Sequence, residues 1–377
     1  MSTISQEQLA EEVHAQGTRL VIAVTGGGSG AISALLTTRG ASRSILAATV
    51  PYAPAALSEW LGARPDEFCS AWTARAMAMA AFLKARQYDP DAVTCGVACT
   101  ASLASDRPKR GPHRAHFAFQ TAGTTAALSL ELEKGRRSRF DEEAVVAAVM
   151  LNHVADACGA KGRIAVPLVV GESIQSTRVV APPDRQDLLA GRRPAIPLRA
   201  AGDQARPRAV FPGAFNPLHD GHKTMAAAAQ QILGQEVTCE ISILNVDKPP
   251  LDFIEIDRRA RQFSPGQAVW LTRAPHFSEK ARLFPGATFV VGADTLARVG
   301  HPRYYGGQEA AMHQAIADIA SHGCRFLVFG RTIEGTFRTL GDLQIPAALL
   351  SICQEVPEKL FRDDISSTQL RSQEPRE

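Results

Sequence analysis

The 377-residue chain lacks several features that would have fixed its role at once. It has no excess of one charge: 41 Lys and Arg against 38 Asp and Glu leave a formal charge of +3, too small a field to gather a nucleic acid or an anionic membrane. It has no long hydrophobic run. Ala144–Leu151, as long as any such run in the chain, falls far short of the roughly 20 residues a membrane helix needs. The first residues, MSTISQEQLAEEVHAQG, are polar and acidic, unlike the basic and then apolar start of a targeting segment. Cysteine is sparse: seven residues, an odd number, spread from Cys69 to Cys353, are expected to be reduced thiols and not a disulfide framework. These absences predict a soluble cytoplasmic protein with small-molecule partners, neither nucleic acid nor membrane.

What is present is an alternation of short apolar strands and amphipathic helices, which predicts α/β architecture. Charge divides the chain. Residues 1–177 carry 17 basic and 16 acidic side chains, residues 178–207 carry 6 and 3, and residues 208–377 carry 18 and 19. The middle stretch holds five prolines and reads as a Pro/Arg-rich linker with one short helix near Arg185–Ala190. The expected organisation is therefore two doubly wound α/β domains, 1–177 and 208–377, joined by 178–207. In the first, helix Gln6–Ala15, strand Arg19–Val24, a glycine cluster Gly26–Gly30 and helix Ala31–Thr37 open a largely parallel sheet. Helix Phe68–Arg86, strands Ala92–Ala98 and Arg114–Thr121, and helix Asp141–Cys158 follow. The second begins at strand Arg208–Phe211, runs through strands Glu240–Asn245, Ala268–Thr272 and Thr288–Gly292, and ends at strand Arg325–Phe329 with helices between.

The sharpest chemical signal follows the first strand of the second domain, in Gly213-Ala214-Phe215-Asn216-Pro217-Leu218-His219-Asp220-Gly221-His222. Glycine lets a ligand approach the backbone where α/β sheets bind ligands. Two histidines three apart at a helix start share one side of it, near the positive end of the helix dipole. The other reading of His-x-x-His, a zinc site, lacks further ligands at convincing spacing. A second candidate is Ile365-Ser366-Ser367-Thr368-Gln369-Leu370-Arg371. There the serines can cap a helix whose N–H groups face an anion, and Arg371, about a turn on, adds a fixed charge.

Together with Val290-Val291-Gly292-Ala293-Asp294-Thr295-Leu296, these segments resemble the HxGH nucleotidyltransferases, most closely the nicotinamide/nicotinate mononucleotide adenylyltransferases, over residues 208–371. The resemblance implies a Rossmann-like fold in which His219, His222 and Arg371 are catalytic. It assigns Gly213, Phe215, Asn216, Gly221, Lys248, Gly292, Asp294, Ser366, Ser367 and Thr368 to the nucleotide. It implies transfer of an adenylyl group from ATP to a mononucleotide with loss of pyrophosphate, and magnesium carried by the ATP. Arg258 and Arg259 are weaker phosphate candidates, and Asp294 is read either as a ribose or acceptor contact or as a helix cap. The acceptor side departs from the family: Val299-Gly300-His301-Pro302-Arg303-Tyr304-Tyr305 stands where a tryptophan-bearing stretch is expected, leaving Tyr304 or Tyr305 as substitutes.

The glycine cluster of the first domain imitates a dehydrogenase phosphate loop, but none of Tyr52, Tyr88, Tyr304 or Tyr305 has the lysine four residues later that such an enzyme requires. Residues 6–175 instead resemble the C-terminal domain of the competence-damage protein CinA, a nicotinamide-nucleotide amidohydrolase family, through Ala34-Leu35-Leu36-Thr37, Arg39-Gly40-Ala41-Ser42-Arg43-Ser44, Tyr52, Leu61-Gly62 and Met77-Ala78-Met79-Ala80. Aligned this way, Gly26 stands at the family's nucleophilic serine and Leu57 at its lysine. The segment after the middle strand is altered as well, to Ala98-Cys99-Thr100-Ala101-Ser102. Neither glycine nor leucine can supply that chemistry. Ser29, Thr25 and Cys99 are the displaced nucleophiles that remain. The domain is otherwise expected to be inactive, either binding a nucleotide or joining copies of the chain into a homo-oligomer.

Overall fold

Alternation sets the first sheet. In the strand Arg19–Thr25, Leu20, Ile22 and Val24 enter one buried cluster, while Val21 and Ala23 enter clusters on the opposite face, as a strand covered on both sides requires. The computed structural model describes residues 3–106, 110–199, 206–244, 250–333, 335–357 and 359. Two compact units divide the chain: residues 1–186 with 247–255, and residues 187–246 with 256–377.

In chain order the first unit contains α1 (Gln6–Ala15), β1 (Arg19–Thr25), α2 (Ser29–Thr37), β2 (Ile45–Thr49), α3 (Pro54–Leu61) and α4 (Ala71–Tyr88). Next come β3 (Thr94–Ser102), β4 (His113–Thr121), β5 (Thr124–Leu132), α5 (Arg139–Cys158) and β6 (Ile174–Val180), then α6 (Pro183–Ala190), whose last residues belong to the second unit. The sheet order is β2-β1-β3-β4-β5-β6. The expected α/β class is found, but only β2, β1 and β3 run parallel; β3 to β6 form an antiparallel meander. The reason is local. Short connections lead from β3 to β4 and from β4 to β5, too short for the helical crossover a parallel pair needs, while β6 pairs antiparallel with β5 after the long helix α5.

Side-chain size decides how the helices cover this sheet. Helices α1, α2 and α5 contribute to a large aliphatic cluster on one face. The other face is paved with Ala23, Ala98, Ala118 and Ala127, against which α4 lays Ala74, Met77 and Ala78. Contact there is so close that a Cβ on Gly96 would lie 2.1 Å from the Phe82 nitrogen and 2.2 Å from the Ala78 oxygen. Leu57, aligned in the sequence with a lysine, is a core residue of this face.

The second unit contains β7 (Ala195–Arg199), β8 (Ala209–Pro212), α7 (Asp220–Leu233), β9 (Val237–Ser242), α8 (Phe253–Ala260), whose first residues belong to the first unit, β10 (Val269–Thr272) and α9 (Phe277–Leu283). It continues with β11 (Thr288–Gly292), α10 (Ala293–Val299), α11 (Glu309–Ser321), β12 (Arg325–Phe329), β13 (Arg331–Ile333), β14 (Thr336–Arg338), α12 (Ala347–Leu350) and β15 (Cys353–Glu355). Its main sheet has the order β15-β12-β11-β8-β9-β10-β7, parallel except for β7. From β8 the chain steps outward through β9 to β10 and then lands on the other side of β8 as β11. That reversal makes the β8/β11 boundary a topological switch point, where open α/β sheets leave a crevice at the strand ends. The stretch expected as a linker carries ordered structure in part: residues up to Val180 complete β6, α6 follows, and β7 closes the second sheet against β10. Residues 200–205 lie outside the described residues. No helix of the described residues is long and apolar enough to cross a membrane.

Gly96→Ala is expected to destabilise the first unit by about 2 kcal/mol through overpacking, measured as a lower urea midpoint of the full chain. An unchanged midpoint would show that α4 is not seated directly on β3.

Candidate functional site

The crevice is built first from a rigid turn at the end of β8. Gly213 donates its N–H to the Glu240 carbonyl at 2.9 Å, and the Phe215 ring lies over its α-carbon, so that a Cβ there would be 2.6 Å from Cζ of the ring. Phe215 is buried and has φ of 45°, a left-handed conformation uncommon for a bulky residue and held only where surroundings enforce it. Those surroundings are aromatic: Phe211, Phe263 and the His222 ring meet Phe215 edge-on, with centroids 5.5, 5.3 and 5.1 Å away. The turn is braced from α8 and the residues just after it. Arg259 donates to the Ala214 carbonyl at 2.7 Å, Arg258 to the Asn216 side-chain oxygen, and Gln262 both donates to the Phe215 carbonyl at 3.1 Å and accepts from the Leu218 N–H at 2.8 Å. Arg258 and Arg259, weighed from the sequence as phosphate cations, thus hold the loop.

This turn delivers both histidines to one place. His219 caps α7 and His222 lies in its first turn, with ring centroids 3.7 Å apart and planes at 32°. The His219 N–H donates to Nδ1 of His222 at 3.2 Å. An Nδ1 that accepts carries no proton, so the neutral ring keeps its hydrogen on Nε2, as a donor for an oxygen ligand. Burial first, then the neighbouring His219 and the charge of Arg331, push the His222 pKa down to about 3. The first N–H groups of the 14-residue α7 add the positive end of a helix dipole on the same side. Gly221 is buried within that first turn.

The next two strands complete the crevice. At the end of β11 Gly292 caps α10, and Asp294 sits in the first turn of that helix, not at its cap. A Cβ on Gly292 would lie 2.5 Å from Asp294 Oδ1 and 2.8 Å from Cγ of Arg331, so carboxylate and guanidinium stem converge over this glycine. Arg331 begins β13, two residues beyond β12, and its charge reaches His222. Sequence reading missed it. Its signal was position, since it follows a third parallel strand at the same end of the sheet as the histidines and Gly292. Lys248, Ser366, Ser367, Thr368 and Arg371 lie outside the described residues. Of the two tyrosines weighed as substitutes for the tryptophan-bearing stretch, Tyr305 is committed to the fold, donating to the Val299 carbonyl at 3.0 Å and packing on the core. Tyr304 stands edge-on to His301 at 6.4 Å.

In the first unit the residues weighed from the sequence as lost or displaced nucleophiles lie in closed surroundings. Gly26 has φ of +74°, and a Cβ there would be 1.9 Å from the Ala101 carbonyl oxygen, so no serine fits. Cys99 is fully buried, and burial above all pushes its thiol pKa well up. Thr25 is buried, and the Ser29 hydroxyl donates to Glu143. His113 and His116 are strand residues bonded to Glu142 and Ser129.

Residues 210–373 match the family model described as cytidylyltransferase-like. Solved structures similar to the chain include the competence/damage inducible protein CihA from Agrobacterium tumefaciens, with 21% identity over 42% of this chain and 98% of that one and a TM-score of 0.34. A competence or damage-inducible protein from Enterobacter asburiae is similar at 18% identity, covering 42% and 98%, with a TM-score of 0.33. The same holds for a CinA superfamily protein from Enterobacter cloacae at 19% identity, covering 42% and 94%, with a TM-score of 0.33. No curated protein matches the chain.

Because the folded pKa of His222 lies below the ordinary 6.5, the neutral ring stabilises the fold above pH 6.5, and that contribution is lost as pH falls toward 3. The His222 ring resonances are expected not to titrate between pH 8 and 5. A midpoint near 6.5 would place the ring in water.

Proposed function

We propose that the cytidylyltransferase-like half of this chain is an ATP-dependent nucleotidyltransferase that transfers an adenylyl group to a mononucleotide of the nicotinamide or nicotinate type, releasing pyrophosphate. The observation that carries the reading is the His219–His222 pair, set by a rigid turn at the start of α7 beside a switch-point crevice. The family match supports nucleotidyl transfer; adenylyl as the group and a pyridine mononucleotide as acceptor rest on the motif pattern Gly213–His222 and Ile365–Arg371.

In this reading a phosphate oxygen of the acceptor attacks the α-phosphorus in line. A new P–O bond forms as the bond to the β-phosphate bridging oxygen breaks, and pyrophosphate leaves with both electrons of that bond. No side chain becomes covalently attached. His222 donates a hydrogen bond from its Nε2–H to a phosphate oxygen, and His219 lies on the same side, where charge grows in the transition state. The Gly213, Phe215, Asn216 and Gly221 turn shapes the approach, Gly292 leaves room beside Asp294, and Arg331 adds a fixed cation at the rim. Ser366, Ser367, Thr368 and Arg371 are assigned to the β- and γ-phosphates and Lys248 to a further phosphate contact. Among the described residues the site's hydrogen-bond donors are imidazoles and a guanidinium, which suit phosphate oxygens, and Asp294 is the carboxylate placed beside them. Magnesium is proposed to arrive on the triphosphate and to offset its charge there.

The full-length protein should release pyrophosphate when ATP or CTP is offered with a panel of phosphorylated acceptors, fastest with ATP and a pyridine mononucleotide. His219→Ala is expected to lower kcat about 10²–10³-fold, while Ser29→Ala leaves it unchanged. Nucleotide binding without turnover for any pair would overturn the enzyme in favour of a nucleotide-binding scaffold, and turnover confined to CTP would overturn the adenylyl assignment.

A further inference from the structure

The glycine turn between β1 and α2 in the first unit has the form of a phosphate loop, yet an internal side chain already fills it. The Glu143 carboxylate, on α5, accepts from the Gly28 N–H at 2.9 Å, from the Gly30 N–H at 3.1 Å and from the Ser29 hydroxyl at 3.1 Å. These are the groups that a bound anion at the start of α2 would use. Arg139, one turn earlier on α5, lies 3.4 Å from Glu143 and donates to the Gly26 carbonyl at 3.0 Å, so the inserted charge is balanced on the spot. The glycines match this occupant. A Cβ on Gly27 would come within 2.9 Å of Leu103 and 3.2 Å of Glu143, and one on Gly30 within 3.1 Å of Ala147. The turn is therefore small because α5 packs into it.

We propose that Glu143 is an internal plug: its carboxylate takes the place of an anion at the glycine turn of the first unit, so that this turn binds no phosphate in the intact chain. The inference is independent of the activity assigned to the second unit. The same carboxylate adds to the burial that holds the Cys99 thiol protonated.

The test titrates the full-length chain, labelled with ¹⁵N-glycine, with inorganic phosphate. The Gly28 and Gly30 amide resonances should stay in place in the wild type and shift saturably in Glu143→Ala. A saturable shift in the wild type, or a folded Glu143→Ala protein without one, overturns the plug. Should the alanine variant fail to fold, Glu143→Gln keeps the size and loses the charge; hydrogen exchange at Gly28 and Gly30 is then expected to accelerate about tenfold, and unchanged exchange overturns the proposal. Covalent labelling of Ser29 by a fluorophosphonate overturns it as well, because a plugged turn leaves no activated hydroxyl.

Discussion

The chemistry of the second unit depends on one packing contact, the Phe215 ring against the α-carbon of Gly213. A turn that links a parallel strand to a helix can place the helix start in many ways. Here the ring removes that freedom, because Phe211 and Phe263 hold it edge-on and the backbone must adopt φ of 45° to seat it. Its other edge meets His222. The His222 imidazole is thus fixed by the same aromatic cluster that fixes the turn, and Arg259 and Gln262 hold the carbonyls of that turn. Preorganisation of this kind is what a reaction without a covalent intermediate requires, since positioning and charge supply the rate.

Burial and function pull together at His222. A half-exposed histidine would share its proton with water near neutral pH. The one observed here is held neutral by burial, His219 and Arg331, so it offers a single hydrogen on a defined nitrogen. A polyanion entering the crevice opposes those three effects and favours the protonated ring. On the proposed function, the site would meet its ligand as a donor and gain charge only once negative charge is present, which suits a small phosphorylated ligand in a chain whose net charge is near zero.

Much of this was legible in the sequence where the signal is local. The strand and helix around the His-Asp-Gly-His segment, Gly292 after its strand, and the alternation of β1 all follow from periodicity and turn residues. What escaped depends on distant pairings. Strand β6, mostly exposed and polar, is a strand because β5 offers its edge, and β7 lies in a proline-containing stretch yet pairs with β10. Arg331 is near His222 only because β12 lies beside β11 and β11 beside β8. Ser366, Ser367, Thr368 and Arg371, read as the second phosphate grip, fall outside the described residues, as does Lys248.

The two glycine turns show why such a motif is weak by itself. Each follows the first parallel strand of its unit and precedes a helix, and each would accept an anion by backbone geometry alone. In the second unit the glycine accommodates a ring of its own loop, leaving two imidazoles at the helix start. In the first the glycines accommodate α5, and a carboxylate more than a hundred residues away in sequence takes up the N–H groups. Composition is similar in the two cases and chemistry is opposite. The difference lies in what packs against the glycine, and that partner is set by tertiary structure, beyond the reach of a local pattern.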